Sequence, residues 1–154
     1  MNTRRFLLSL SAIICVVFGS AVARADEMLM ARSPLNFPEA MTALQLAIKA
    51  RGYTVGHVQR VDVGLSVGGF KTAEYRVVFF AKPEELAALP ARMPELTAYM
   101  PLKIAIFAEG ETTLLTTNNP LTLRQFFPGA GLDAVFERWH ADVSAIFDSV
   151  SRAE

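Results

Sequence analysis

Residues 73–117 read AEYRVVFFAKPEELAALPARMPELTAYMPLKIAIFAEGETTLLTT, and this stretch decides the fold. Its first ten residues place apolar side chains on both sides of a β-strand, which predicts a strand inside a sheet. Pro83 and two glutamates then begin a helix, because proline suits the first helical turn and acids stabilise the positive end of the helix dipole. After Pro101, two apolar runs that join at Glu109–Gly110 predict a β-hairpin.

Further strands and helices flank this stretch. The sequence predicts strands over residues 28–33, 53–63, 73–81, 102–107 and 112–117, and helices that begin at Asn36 and Pro83 and that cover residues 132–152. The order β-α-β-β-α-β-β-α predicts an α+β fold, a two-layer sandwich with helices on one face of a mainly antiparallel sheet of four or five strands.

Glycine and proline set the expected irregularities. The second strand is expected to bulge near Gly56, and residues 64–70 are expected to form a glycine-rich connection without a helix. Pro90 and Pro94 are expected to end one short helix and to begin a second turn or helix over residues 95–99. Residues 121–131 are apolar but irregular.

The first 25 residues predict a signal peptide. Arg4 and Arg5 give a positive start, residues 6–21 are uncharged and apolar, and residues 23–25 read Ala-Arg-Ala, a site for signal peptidase. The apolar run is shorter than the about 20 residues that a spanning helix needs. We therefore expect cleavage after Ala25 and a periplasmic or secreted bacterial protein that meets the membrane only during export.

Two export routes are compatible with the first 25 residues. The arginine pair also fits the twin-arginine route, which carries folded proteins, whereas the strongly apolar core favours the general secretory route. The predicted organisation is a signal peptide (1–25), an α+β domain (26–131) and a C-terminal amphipathic helix packed on that domain (132–154). The single cysteine, Cys15, lies in the signal peptide, so the exported part has no disulfide and no thiol.

Charge excludes one class of partner. The chain has 15 basic and 15 acidic residues and a net charge of zero, and the two signs are interspersed along it. A nucleic-acid-binding surface needs clustered basic residues. We therefore expect no nucleic acid partner.

Spaced prolines, glycines and apolar positions carry a family resemblance. The motifs are Asn36–Glu39, Arg51–Val55, Lys82–Pro83, Met93–Glu95, Met100–Phe107 and Glu109–Gly110. With them, the region from Leu29 to Pro120 resembles the bacterial domain of unknown function family 302 (DUF302). The resemblance implies a small β-α-β-β-α-β-β fold, with the helix from Leu132 as an addition, and it implies no activity.

One motif points to an enzyme. Residues 64–68 match Gly-x-Ser-x-Gly, the nucleophile elbow of hydrolases, with Ser66 as the nucleophile. That elbow needs a strand, a sharp turn and a helix, and here a second strand is expected after the turn. We expect no catalytic residue; the alternative is an unrecognised enzyme that uses Ser66, His57 and a carboxylate such as Asp62 or Glu74.

The sequence gives little support for a metal or another cofactor. His57 and His140 are the only histidines, and two isolated histidines do not make a ligand set. Met28 and Met30 could bind a soft metal through their thioethers, but residues two apart on a strand are also typical of a packed face. We expect neither a metal nor a cofactor.

The many aromatic residues suggest a binding role. We expect most of them in the core, and the alternatives are an apolar ligand cavity or an exposed patch that forms a homodimer. The candidate ligand-binding residues are His57, Tyr75, Phe79 and Phe107. The polar residues 116–120 are expected to form a turn, although their side chains could also bind a small ligand. The sequence thus predicts a non-catalytic module that binds a small molecule or a partner protein.

Overall fold

The computed structural model describes residues 27–153, so the predicted signal peptide and Cys15 lie outside the described residues. Five strands form one antiparallel sheet in the order β1-β5-β4-β3-β2. Their bounds are β1 Met28–Ser33, β2 Thr54–Arg60, β3 Tyr75–Ala81, β4 Leu102–Glu109 and β5 Thr112–Asn118. The α+β prediction with an antiparallel sheet is confirmed.

The described residues also form four α-helices and two 3-10 helices. They are α1 Phe37–Ala50, α2 Val61–Val67, α3 Pro83–Arg92, α4 Asp133–Ser151, η1 Pro94–Tyr99 and η2 Pro120–Gln125. The α1 start is as predicted, since Asn36 Oδ1 accepts a hydrogen bond from the Glu39 amide at 3.2 Å. None of the described helices is both long enough and apolar enough to cross a membrane.

Two local predictions were wrong. Residues 61–67 form α2, where the end of a strand and a glycine-rich connection were expected. This helix buries none of its residues, and it is fixed to β3 by an ion pair between Asp62 and Arg76. The 3-10 helix η2 occupies part of the segment that was expected to be irregular. The expected short helix and following second helix are present, since α3 ends at Arg92, with Pro90 inside it, and η1 covers Pro94–Tyr99. The bulge near Gly56 is present, because the pairing of β2 with β3 shifts between Val55 and His57.

Two apolar cores hold the molecule together. The larger core lies between α1, α4 and one face of the sheet, and its fully buried members include Leu44, Ile48, Phe80 and Ile146. The smaller core lies where α3, η1 and η2 meet α4, around the fully buried Trp139. α4 contributes to both cores, so its apolar stripe connects the two halves of the helical layer.

The other face of the sheet remains partly uncovered. Alternation along β3 and β4 sends Val78, Phe80, Ile104 and Ile106 into the larger core. The residues between them point to the opposite face, which we call the open face. In register across β3 and β4, its pairs are Tyr75 with Phe107, Val77 with Ala105, and Phe79 with Lys103. β3 is inside the sheet as predicted, but its second apolar side belongs to the open face.

Candidate functional site

A cavity of about 230 Å³ lies at one end of the sheet, where the strand ends meet η1 and η2. We call it the end cavity. Its walls come from β3, β4, β5, η1 and η2 and include Phe79, Tyr99, Leu102, Lys103, Thr117, Asn119 and Phe126. Elements that are distant in sequence therefore build one concave surface with both apolar and polar groups, which is the usual composition of a small-molecule site.

Two aromatic rings form an outer wall of the end cavity. The ring of Tyr99 in η1 stacks on the ring of Phe126, with centroids 6.2 Å apart and planes 22° apart. Phe126 follows η2 directly and is 58% exposed, whereas the neighbouring Phe127 is partly buried, packs against the smaller core and meets Tyr99 edge-on. Phe127 thus anchors this wall, and Phe126 presents a ring at the surface.

The polar side of the end cavity is fixed by hydrogen bonds. The buried Asn119 uses Oδ1 to cap η2, accepting from the Leu121 amide at 3.0 Å, and the same oxygen lies 2.9 Å from His140 Nδ1 on α4. The Thr122 hydroxyl donates to the Asn119 carbonyl at 2.7 Å. The Thr117 hydroxyl donates to the Lys103 carbonyl at 2.6 Å. These contacts fix the backbone around the cavity before any ligand binds.

A second cavity of about 330 Å³ extends the site across the open face. We call it the face groove. Within the described part of the chain, only strand residues line it, including Met28, Tyr75, Val77, Phe79, Lys103 and Ala105. Phe79, Lys103, Thr117 and Asn118 line both cavities. The end cavity and the face groove are therefore neighbours, with Phe79 and Lys103 at their junction.

The structure brings the four candidate ligand-binding residues to one face of the sheet. His57 stacks on Phe79 with ring centroids 6.1 Å apart, and Tyr75 meets Phe107 edge-on at 5.9 Å. Phe79 lines both cavities and Tyr75 lines the face groove. His57 and Phe107 line neither cavity. They adjoin the site because His57 stacks on Phe79 and Phe107 contacts Tyr75.

The residues of the enzyme alternative do not assemble. Ser66 is exposed on α2, so the Gly-x-Ser-x-Gly motif lies in a helix and not at a strand-to-helix elbow. Asp62 is held by Arg76, whose hydrogen bond lowers the pKa of that carboxyl group below its usual value. Among the described residues, no hydrogen bond links Ser66 to His57, or either of them to a carboxylate. The exposed Glu74 side chain makes no hydrogen bond to Ser66 or to His57.

The described residues also contain no cluster of three or more histidine, cysteine, aspartate or glutamate side chains that could hold a metal ion. Met28 and Met30 are both exposed, at 48% and 56%, on the strand at one edge of the sheet. Their register partners on β5 are Asn118 and Thr116, which offer no soft ligand.

Lys103, Tyr99 and Phe126 were not predicted as site residues. Lys103 did leave a signal, because it is the one charge in the run Leu102–Phe107 and its position in the alternation puts it on the face of Phe79. Tyr99 and Phe126 left none, since both follow from how η1 and η2 meet at the end of the sheet.

Comparison with known proteins gives a family and a fold. The family model described as "Domain of unknown function DUF302" matches residues 30–150, a range that runs past residue 131 and includes most of α4. No curated protein matches the chain. A solved structure that it resembles is the crystal structure of uncharacterized conserved protein DUF302 from Bacillus stearothermophilus. The two are 17% identical over 82% of this chain and 99% of that chain, with a TM-score of 0.74.

Proposed function

Because the chain belongs to the DUF302 family, a family of domains of unknown function, membership brings no activity, and we propose a role from the geometry of the end cavity. The protein is an exported, non-catalytic domain that binds a small ligand with an apolar body at the junction of the end cavity and the face groove. The observation that carries this proposal is the end cavity itself, which aromatic side chains wall but do not fill.

The open face supports a binding role. An antiparallel sheet whose second face meets water normally carries polar side chains there. Here Tyr75, Val77, Phe79 and Phe107 occupy the centre of that face and are only half-buried. Their apolar surface would gain free energy from a ligand, at about 25 cal/mol for each Å² removed from water.

Export is the second part of the proposal. It rests on the order of charge, apolar run and Ala-Arg-Ala site in the first 25 residues. The exported domain then lacks cysteine, and its stability comes from the two apolar cores. A binding domain that folds without disulfides suits either export route, because its folding does not depend on the redox state of the compartment.

Native mass spectrometry of protein purified from the periplasm tests both parts. We expect a chain that begins at Asp26 and that retains a small molecule. Ala98 lines the end cavity, whereas Ala91 on α3 is also an exposed alanine and lines neither cavity. Ala98→Trp should lose the retained molecule and Ala91→Trp should keep it. Retention by both variants would place the ligand elsewhere. A chain that is absent from the periplasmic fraction and uncleaved in the cytoplasmic fraction would refute export.

A homodimer is the second candidate role of the open face. It is favoured by Met28 and Met30, large apolar side chains that β1 exposes at the edge of the sheet. Sedimentation of the mature protein over a range of concentrations tests it. A dimer that Met30→Lys dissociates, while ligand binding persists, would separate this surface from the end cavity. A monomer at all concentrations would reject the dimer.

A further inference from the structure

We propose that the ligand of the end cavity is a planar, single-ring carboxylate whose negative charge pairs with Lys103. This inference rests on the proposed binding function and adds the chemical class of the ligand. The ring lies against Phe79 and the stacked pair Tyr99 and Phe126, and the carboxylate points to the junction with the face groove, where the Lys103 side chain lies.

The charged side chain that lines the two cavities favours a negatively charged ligand. Lys103 is the one charged side chain that lines the end cavity or the face groove, among the residues that the structure describes. No ion pair engages Lys103 within that part of the chain, where every ion pair is formed by an arginine. An ammonium group beside an apolar cavity without a counterion favours an anion there.

A neighbouring depression shows the opposite electrostatic character. On the other side of the Tyr99 and Phe126 pair, a more open depression is lined by Glu95 together with Met93 and Phe127. A carboxylate ligand would be repelled there and attracted on the side of Lys103. The aromatic wall therefore separates an acidic side from a basic side, and the basic side belongs to the more enclosed cavity.

Size and shape determine the body of the ligand. The end cavity is smaller than the about 300 Å³ at which sites for drug-sized molecules begin, so it suits one ring and a short substituent. Flat rings pack well on the rings of Phe126 and Phe79 that line this cavity, since aromatic pairs gain about 0.5–1.5 kcal/mol beyond area burial. The leading probes are therefore benzoate, the anion, and benzyl alcohol, a neutral molecule of similar size.

Titration of both probes into the ¹⁵N-labelled mature protein tests the inference. We expect benzoate to shift the amide signals of Tyr99, Lys103 and Phe126, and to bind about five- to tenfold more tightly than benzyl alcohol. Added salt should weaken benzoate binding and leave benzyl alcohol binding unchanged, because salt screens an exposed ion pair. This salt comparison needs no variant.

Three variants assign the charge to one residue. Lys103→Met keeps the apolar stem and should reduce the ratio of benzoate affinity to benzyl alcohol affinity to about one. Lys103→Arg should retain most of the wild-type ratio. Lys49→Met is the matched control, since Lys49 is an exposed lysine at the end of α1 that lines neither cavity. It should behave as the wild type.

The outcomes separate this inference from the function on which it rests. Equal binding of benzoate and benzyl alcohol at the end cavity overturns the anionic ligand and leaves the proposed binding function standing. Binding of neither probe, with no ligand retained from the periplasm, overturns both. A benzoate preference that survives Lys103→Met shows that another group carries the charge, and this also overturns the inference.

Discussion

Arg51 and Asp142 form an ion pair that ties the end of α1 to the middle of α4. Arg51 Nη2 lies 2.6 Å and Nε 3.0 Å from Asp142 Oδ1, and the Tyr53 hydroxyl donates to Oδ2 at 2.8 Å. The Asp142 side chain is 9% exposed. Burial, and then this hydrogen bond, raise the pKa of Tyr53, so its phenol remains a donor at ordinary pH. The carboxylate therefore has donors on both oxygens.

Asp142→Asn should lower the free energy of unfolding by about 2 kcal/mol. Removing the charge leaves Arg51 unpaired, and the loss stays below the about 3–5 kcal/mol of a fully buried pair because Arg51 is 44% exposed on its side chain. Urea unfolding measures the change. Asp148→Asn is the control: its pair with Arg152 is exposed on α4, so it should cost less than about 0.5 kcal/mol. Equal losses in both variants would contradict the assigned role of Asp142.

Asp62→Asn should destabilise the protein at neutral pH and lose its effect in acid. The hydrogen bond from Arg76 lowers the pKa of Asp62 below its usual 3.8. A lowered folded-state pKa means that the carboxylate stabilises the native state above pH 3.8, and that this stabilisation disappears as the pH falls through the folded-state value. Thermal unfolding of both proteins between pH 7 and pH 2.5 should therefore give midpoints that converge at the acid end.

A double-mutant cycle checks that Arg76 is the partner. In the background Arg76→Met, the change Asp62→Asn should cost little at any pH, because the donor that lowers the pKa is gone. A constant difference between wild type and Asp62→Asn from neutral to acid pH would show that the ion pair does not fix α2.

Elements with their own periodicity could be predicted from the sequence. α1 has buried residues at helical spacing, such as Leu44 and Ile48, between an Asn36 cap and Gly52 at φ +79°. Nothing local marks α2, since glycine and β-branched valine are weak helix formers, and the ion pair that holds it comes from the next strand. Asp142 looked like a surface residue of α4, because its donors lie 91 and 89 residues away.

Part of the candidate site could likewise be predicted from the sequence, and part could not. Strand alternation put His57, Tyr75, Phe79 and Phe107 on one face, so their common location followed from register alone. The end cavity did not follow, because it forms between two 3-10 helices and the strand ends, where no repeating pattern exists. Tertiary packing decides that region, and a local pattern cannot show it.

Thr116→Val should raise the free energy of unfolding by about 1 kcal/mol. The Thr116 hydroxyl is buried and has no hydrogen-bond partner in the described part of the chain, and valine has the same shape and suits a strand. Thr113→Val is the matched control on the same strand, since the Thr113 hydroxyl donates to the Leu35 carbonyl at 3.0 Å. Thr113→Val should lower the free energy of unfolding by about 1 kcal/mol. Urea unfolding should show changes of opposite sign; changes of the same sign would contradict this difference.

Phe126→Ala and Phe127→Ala should separate binding from stability. Phe126 is 58% exposed and stacks on Tyr99, so its removal should cost less than about 1 kcal/mol of unfolding free energy. Phe127 is partly buried against the smaller core, with its ring centroid 6.1 Å from that of Phe136, so its removal should cost about 2 kcal/mol. Phe126→Ala should nevertheless weaken benzoate binding about threefold, because the ligand ring loses one wall. Urea unfolding and benzoate titration measure the two effects, and unchanged binding in Phe126→Ala would show that the ring of the ligand lies elsewhere.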